Sequence, residues 1–162
     1  MSAKTMEIQY RCATVSDVPL LARMHRQSVE DECGKPYPSL SECEAEIERC
    51  LGGKGEAILF QVGGADVGYT LFQREPEGIF LRHFFVCREH RRQGIGRTAI
   101  QWLITEAWQR PARVRLVVHV KNAAGHTFWR VVGFSDWLID MKMESKGVAQ
   151  APAPADADKP HG

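Results

Sequence analysis

Residues 6–13 (MEIQYRCA) alternate apolar and polar side chains, the period-two pattern of a strand with one buried face. Ser16-Asp17 then supplies a helix cap, and Pro19 is tolerated in the first turn. Leu20, Leu21, Met24 and Val29 lay an apolar stripe that runs to about Glu32. A Gly-Lys-Pro-Tyr-Pro loop at 34–38 follows, and Ser39 or Ser41 caps a second, acidic helix ending at Gly52-Gly53. The β-rich runs 56–62 and 66–73 flank Gly63-Gly64-Ala65 and predict a hairpin. Residues 79–86 (IFLRHFFV) predict another strand. Residues 94–110 carry Ile95, Ala99, Trp102, Leu103 and Ala107 at helical spacing. The run 114–120 (VRLVVHV) is almost continuously apolar, as a central strand is. A helix over 122–132 closed by Gly133 and a last strand at 137–143 (WLIDMKM) complete the chain. The order β-α-α-β-β-β-α-β-α-β predicts an α/β domain: a mixed sheet of six to seven strands flanked by about four helices.

Composition narrows the function classes. At 162 residues the chain is the size of one domain. Lys+Arg number 21 against 20 Asp+Glu, a net charge of +1, which argues against a dedicated nucleic-acid binder. No apolar run approaches the roughly 20 residues of a membrane span, and the N-terminus lacks the apolar core of a secretory signal. Five cysteines, Cys12, Cys33, Cys43, Cys50 and Cys87, form no C-x-x-C pair, so neither a disulfide framework nor a zinc site is expected. These features point to a cytoplasmic protein without a metal centre. Residues 145–162 hold Ala, Pro, Asp and Gly with Val148 as the one large aliphatic, and read as a flexible tail after a domain at 1–144.

The chemistry concentrates at 86–97, Val-Cys-Arg-Glu-His-Arg-Arg-Gln-Gly-Ile-Gly-Arg. A strand ends, a basic loop follows, and two glycines open a helix. Glycine allows a sharp turn and close backbone approach. The first amides of a helix have no internal partners and present the positive end of its dipole, so the site suits a pyrophosphate. Arg88, Arg91, Arg92 and Arg97 add positive charge to an otherwise neutral protein. Gly94-x-Gly96-x-x-Ala99 formally matches a dinucleotide fingerprint, but that reading requires an acid about 20 residues on, and none occurs from Ala107 to Ser135. No Lys-Ser/Thr follows the glycines, which excludes a Walker loop.

Arg91-Arg92-Gln93-Gly94-Ile95-Gly96 is similar to the R/Q-x-x-G-x-G/A acetyl-CoA motif of the GNAT superfamily of N-acetyltransferases. The run 122–134 (NAAGHTFWRVVGF) resembles the N-x-x-A-x-x-F-Y-x-x-x-G-F signature of the same family. The resemblance covers about residues 6–143 and implies a GNAT-like, mostly antiparallel sheet with a V-shaped cofactor cleft. It implies acetyl-CoA as cofactor, its pyrophosphate on the amides of Arg92, Gln93, Gly94, Ile95, Gly96 and Arg97 beside Arg91. The pantetheine arm would lie along Phe84, Phe85 and Val86, with Asn122, Phe128 and Trp129 also at the cofactor. The implied reaction is direct attack of an amine on the thioester, with an amide near Phe85 stabilising the oxyanion.

The sequence departs from the family at two positions. Where relatives carry a carboxylate base, this chain has His83 beside Arg82; Leu81–Val86 resembles the Leu-acid-acid-Phe-Phe-Val of the polyamine branch with both acids replaced. Histidine suits the base role, with a pKa near 6.5, and His119 is a second candidate. The usual proton-donating Tyr aligns with Trp129, whose indole can donate a hydrogen bond but is no acid. His126, one turn earlier, or solvent would then supply that proton.

The acceptor, a small-molecule or protein amine, would meet the loop at 33–40 with Tyr37 between Pro36 and Pro38. The acids Glu30, Asp31, Glu32, Glu42, Glu44, Glu46 and Glu48 suit a cationic acceptor, whereas Arg82 suits one bearing a carboxylate. Arg82, His83 and His119 complete the expected acceptor contacts. A module that binds acetyl-CoA without turnover is the alternative, and an RNA-binding module using His90-Arg91-Arg92 is the least supported. A homodimer is left open.

Overall fold

A computed structural model describes residues 6–32 and 36–143. Strand β1 (Gln9–Cys12) leads through a short turn at Val15–Asp17 into helix α1 (Val18–Glu32). The cap of that turn is Thr14 rather than Ser16-Asp17: the Thr14 amide donates to Asp17 (2.8 Å), and Arg11 grips the same carboxylate through both terminal nitrogens (2.8 and 3.0 Å). Helix α2 (Leu40–Leu51) is capped by Ser39, whose hydroxyl accepts from the Glu42 amide while Glu42 accepts from the Ser39 amide. Strands β2 (Gly55–Val62), β3 (Ala65–Glu75) and β4 (Gly78–Val86) form a meander whose first turn is the hairpin that Gly63-Gly64 predicts. Helix α3 (Ile95–Trp102) runs on through a wider turn at Leu103–Ala107, closed by the Trp108 amide on the Leu103 carbonyl (2.8 Å). Strand β5 (Val114–Leu116) and helix α4 (Ala123–Val131) follow.

The sheet order is β1-β2-β3-β4-β5, antiparallel except for the parallel β4–β5 pair. Among the described residues it has five strands, not six to seven. Two expectations fail here. The run 114–120 pairs only over Val114–Leu116, and 137–143 forms no strand. Trp137, Leu138, Ile139, Met141 and Met143 are all exposed, and the three-residue outer edge of β5 is too short a ladder to recruit them. The tail at 145–162 and Cys33 lie outside the described residues.

Each face of the sheet has its own core. Ile58, Phe60, Phe72, Ile79 and Leu81 meet Ile95, Ile100 and Leu103 of the α3 segment on one face. Leu59, Tyr69, Leu71 and Phe85 meet Leu21 and Met24 of α1 and Ile47 of α2 on the other. Strand β4 contributes to both because of a β-bulge. Leu71 lies opposite His83 and Phe72 opposite Leu81, which leaves Arg82 as the extra residue. The bulge switches odd-numbered positions from the α3 face, at Ile79 and Leu81, to the α1–α2 face, at His83 and Phe85. Pairing of β4 with β5 ends at Leu81 and Leu116, so the strands part at the bulge and a cleft opens between them.

Candidate active site

The phosphate-suited turn sits where β4 ends. Arg92 and Gly94 both adopt left-handed conformations, with φ of 62° and 80°. A Cβ on Gly94 would meet nothing within 4 Å, so glycine is needed there for its φ and not for space. The α3 ladder begins with the Thr98 amide on the Gly94 carbonyl (3.0 Å). Among the described residues, the backbone N–H groups of Arg92 to Arg97 have no hydrogen-bond partner. Left-handed residues beside a helix start make a concave array of donors, which suits an anion. At Gly96 the reason is space: a Cβ would come 3.2 Å from the Phe128 ring, which packs α4 against α3.

Arg91 does not aim its side chain at this array. It donates to the Val86 carbonyl (2.8 Å) and to Asp31 (2.6 Å), and its guanidinium lies 5.2 Å above the Phe85 ring. Arg88 donates to the same Asp31 carboxylate (2.7 Å). Both arginines thus fasten the turn to the end of α1, and Arg92 and Arg97 remain exposed beside the free amides. Desolvation pushes the Asp31 carboxyl up, but the hydrogen bonds from Arg88 and Arg91 outweigh it and hold the group below the usual range.

A cluster from four elements borders the cleft through His25 and His83. Glu46 of α2 reaches His25 Nε2 of α1 (3.3 Å) and His83 Nε2 of β4 (3.4 Å), one with each oxygen. The two imidazoles stack, with centroids 4.1 Å apart and planes 10° from parallel. Tyr69 of β3, fully buried, lies 3.0 Å from His83 Nδ1. The hydrogen bond from His83 leads the effects that bring the Glu46 carboxyl down to about 2 against its desolvation, helped by the charge of His25. Burial and then the neighbouring His83 push His25 below the ordinary histidine value, whereas burial pushes Tyr69 well above the ordinary phenol. An ionised Glu46 only accepts, so both Nε2 atoms carry protons, and the Tyr69 hydroxyl donates to His83 Nδ1. The donor atoms of His25, Glu46 and His83 lie within 4.8 Å of one another. Imidazole lone pairs lie in the ring planes, and one ion cannot lie in both of two stacked planes, so the group acts as a hydrogen-bond network.

The expected site residues divide accordingly. Arg82, His83 and Phe84 line the cleft from β4, and Asn122 and Trp129 line it from α4. Asn122 caps α4, its Oδ1 accepting from the Gly125 amide (2.8 Å), which leaves its side-chain N–H group as a donor. Trp129 meets Phe84, Phe128 and Phe134 edge-on at 5.3, 4.9 and 5.1 Å, so the indole is an aromatic wall. The Phe85 side chain is buried on the α1–α2 face, which leaves only its backbone for the cleft. Tyr37, His119 and His126 are not among the described residues that line the cleft. His119 stands beyond the end of β5, its Nδ1 accepting from the Lys121 amide (3.2 Å), and His126 lies toward Asp136. Sequence reasoning missed His25, Ser28 and Tyr69. The one available signal was a histidine on the apolar stripe of α1, beside Leu21 and Met24.

The Acetyltransferase (GNAT) family model matches residues 23–134, and the chain belongs to that family. A possible acetyltransferase from Clostridium difficile 630 superposes with a TM-score of 0.70 at 19% identity, covering 86% of this chain and 97% of the other. Ribosomal-protein-alanine N-acetyltransferase from Brucella melitensis biovar Abortus 2308 gives 0.68 at 20% identity, over 85% of this chain and 100% of that one. A predicted acetyltransferase with acetyl-CoA from Clostridium acetobutylicum gives 0.66 at 16%, over 85% and 96%. No curated protein matches the chain in sequence. Among the described residues no helix is long and apolar enough to cross a membrane.

Proposed function

We propose that this protein is an acetyl-CoA-dependent N-acetyltransferase acting on a primary amine of a small molecule or protein, both substrates bound together. The observation that carries the reading is that β4 joins two features: His83, in contact with Glu46, lines the cleft where β4 and β5 part, and the free amides of Arg92–Arg97 follow the strand's end at Val86. Six unpartnered N–H groups around two left-handed residues fit a pyrophosphate, so the fit to acetyl-CoA rests on this chain's own donors. When bound, acetyl-CoA supplies the acetyl group as an activated thioester. Past Leu81 strand β4 has no β5 partner, which exposes backbone around Phe84, Phe85 and Val86 to the cleft. Asn122 offers its remaining side-chain donor beside it, and the amide near Phe85 is the candidate donor to a carbonyl oxygen.

A primary amine is mostly protonated at neutral pH, so a base must take a proton from it. His83 does this at Nε2 in its other tautomer, with the Nδ1 proton donated to the Tyr69 hydroxyl, and the 3.4 Å gap from Nε2 to Glu46, longer than the 3.0 Å contact to Tyr69, is where an amine or a water enters. Glu46 then faces the imidazolium as its counter-charge. His25 stays neutral and packs the ring in place. Trp129, set among three phenylalanines, is an aromatic wall that supplies no proton, and solvent is the proton source on that side.

The test is thiol release from acetyl-CoA over a panel of amines, alongside calorimetric titration of acetyl-CoA. His83→Ala is expected to lower kcat/KM by about 10²- to 10⁴-fold while acetyl-CoA affinity stays within about twofold. Tight acetyl-CoA binding without thiol release would replace this reading with a binding module.

A further inference from the structure

We propose that the acceptor is an amino acid or a close analogue, its carboxylate held by Arg82 and its ammonium entering between Glu32 and His83. The inference rests on the N-acetyltransferase reading and specifies its second substrate.

The acidic residues of the first two helices suit a cationic acceptor by sequence, but the structure uses most of them internally. Glu30 pairs with Arg26 (3.3 Å) and Arg88 (3.8 Å), and Asp31 holds Arg88 and Arg91. Glu46 is shared by two histidines, and Glu42 caps its own helix. Glu32 is the one carboxylate on the cleft wall among the described residues, and its hydrogen bond there is a long one from the Ser28 hydroxyl (3.5 Å). One carboxylate matches one ammonium, which disfavours a polyamine.

Arg82 is the bulge residue, and it lines the cleft together with Leu81, His83 and Phe84. Regular alternation would send Arg82 and His83 to opposite faces; the bulge lets consecutive residues share the cleft. Arg82 lies 5.4 Å from the Phe80 ring, and among the described residues no carboxylate pairs with it. Its neighbour over the same ring, Arg115, is tied to Glu75 (2.9 Å). A guanidinium presents a planar fork that matches a carboxylate with two parallel hydrogen bonds. In an amino acid one carbon separates amine from carboxylate, and here adjacent residues carry the proton acceptor and the guanidinium.

The experiment uses matched trios: an L-amino acid, its amide and its decarboxylated amine, for Phe, Leu and Lys, each assayed by thiol release from acetyl-CoA. The amino acid should exceed its partners in kcat/KM by about 10- to 100-fold, the usual range for a hydrogen-bonded charge. Arg82→Gln, an exposed position whose fold circular dichroism verifies, should make the three members of each trio converge. Equal use of all three by the wild type, or a carboxylate preference that survives Arg82→Gln, would overturn the proposal and leave the acetyltransferase reading standing. No thiol release with any acceptor would sink that reading instead. Calorimetric binding of the same trios to acetyl-CoA-loaded protein then decides: carboxylate-dependent affinity abolished by Arg82→Gln supports the proposal, and equal affinities overturn it.

Discussion

His25, Glu46 and His83 tie stability to pH through two groups whose folded pKa values lie below their ordinary ones. Burial holds His25 below 6.5, so the folded state favours the neutral ring; stability is full above 6.5 and declines as pH falls below it. Glu46 is held at about 2 against an ordinary 4.5, so its contribution is present above 4.5 and is lost as pH falls toward 2. Both effects have the same sign, and the protein should weaken in two stages on acidification. Glu46→Gln should shrink the lower stage, which Asp17, held at about 2 by Arg11, shares, and cost about 1–2 kcal/mol at pH 7, the modest value appropriate to a carboxylate with 38% of its side chain exposed. Urea midpoints at pH 7, 5.5 and 3.5 measure both stages. A variant that still loses stability between pH 4.5 and 2 as the wild type does would show that Glu46 is not its source.

Strand β4 shows what a single element adds to such residues. Thr70, fully buried on β3, donates its hydroxyl to the His83 carbonyl (3.0 Å) and so fixes the backbone beside the bulge. Thr70→Val keeps the shape and leaves that carbonyl without its partner. We expect a loss of about 1–2 kcal/mol in urea unfolding and a fall in kcat larger than any change in acetyl-CoA affinity. An unchanged kcat in a folded variant would remove the bulge from the catalytic geometry. The bulge itself was not legible in IFLRHFFV, because a strand apolar on both faces gives no alternation for an extra residue to break. The glycine turn that opens α3 was legible, because Gly94 and Gly96 answer local demands of φ and close packing that leave a mark in sequence. The histidine cluster was not, since its members come from four elements and meet only when both helices dock on one sheet face. The last strand was misread for a related reason: 137–143 is apolar enough for a strand, but hydrophobicity does not say whether a partner edge exists.

Across the whole molecule, a net charge of +1 conceals a fastening of opposite charges between α1 and the turn before α3. Asp31→Asn should release Arg88 and Arg91 together. The turn then loses its anchor while gaining two mobile cations, so acetyl-CoA binding should weaken by about tenfold and depend more steeply on salt. Calorimetric titrations at 50 and 300 mM salt would check both, and unaltered affinity and salt slope would mean the turn holds its shape alone. Asp31 and Glu32 are consecutive, one on the phosphate turn and the other on the acceptor wall. On the proposed reading, successive residues of α1 serve the two ligand sites, so any coupling carried by the helix is reciprocal. Whatever factor the first ligand contributes to the affinity of the second is returned unchanged, so the energetic benefit is the same for either order of addition.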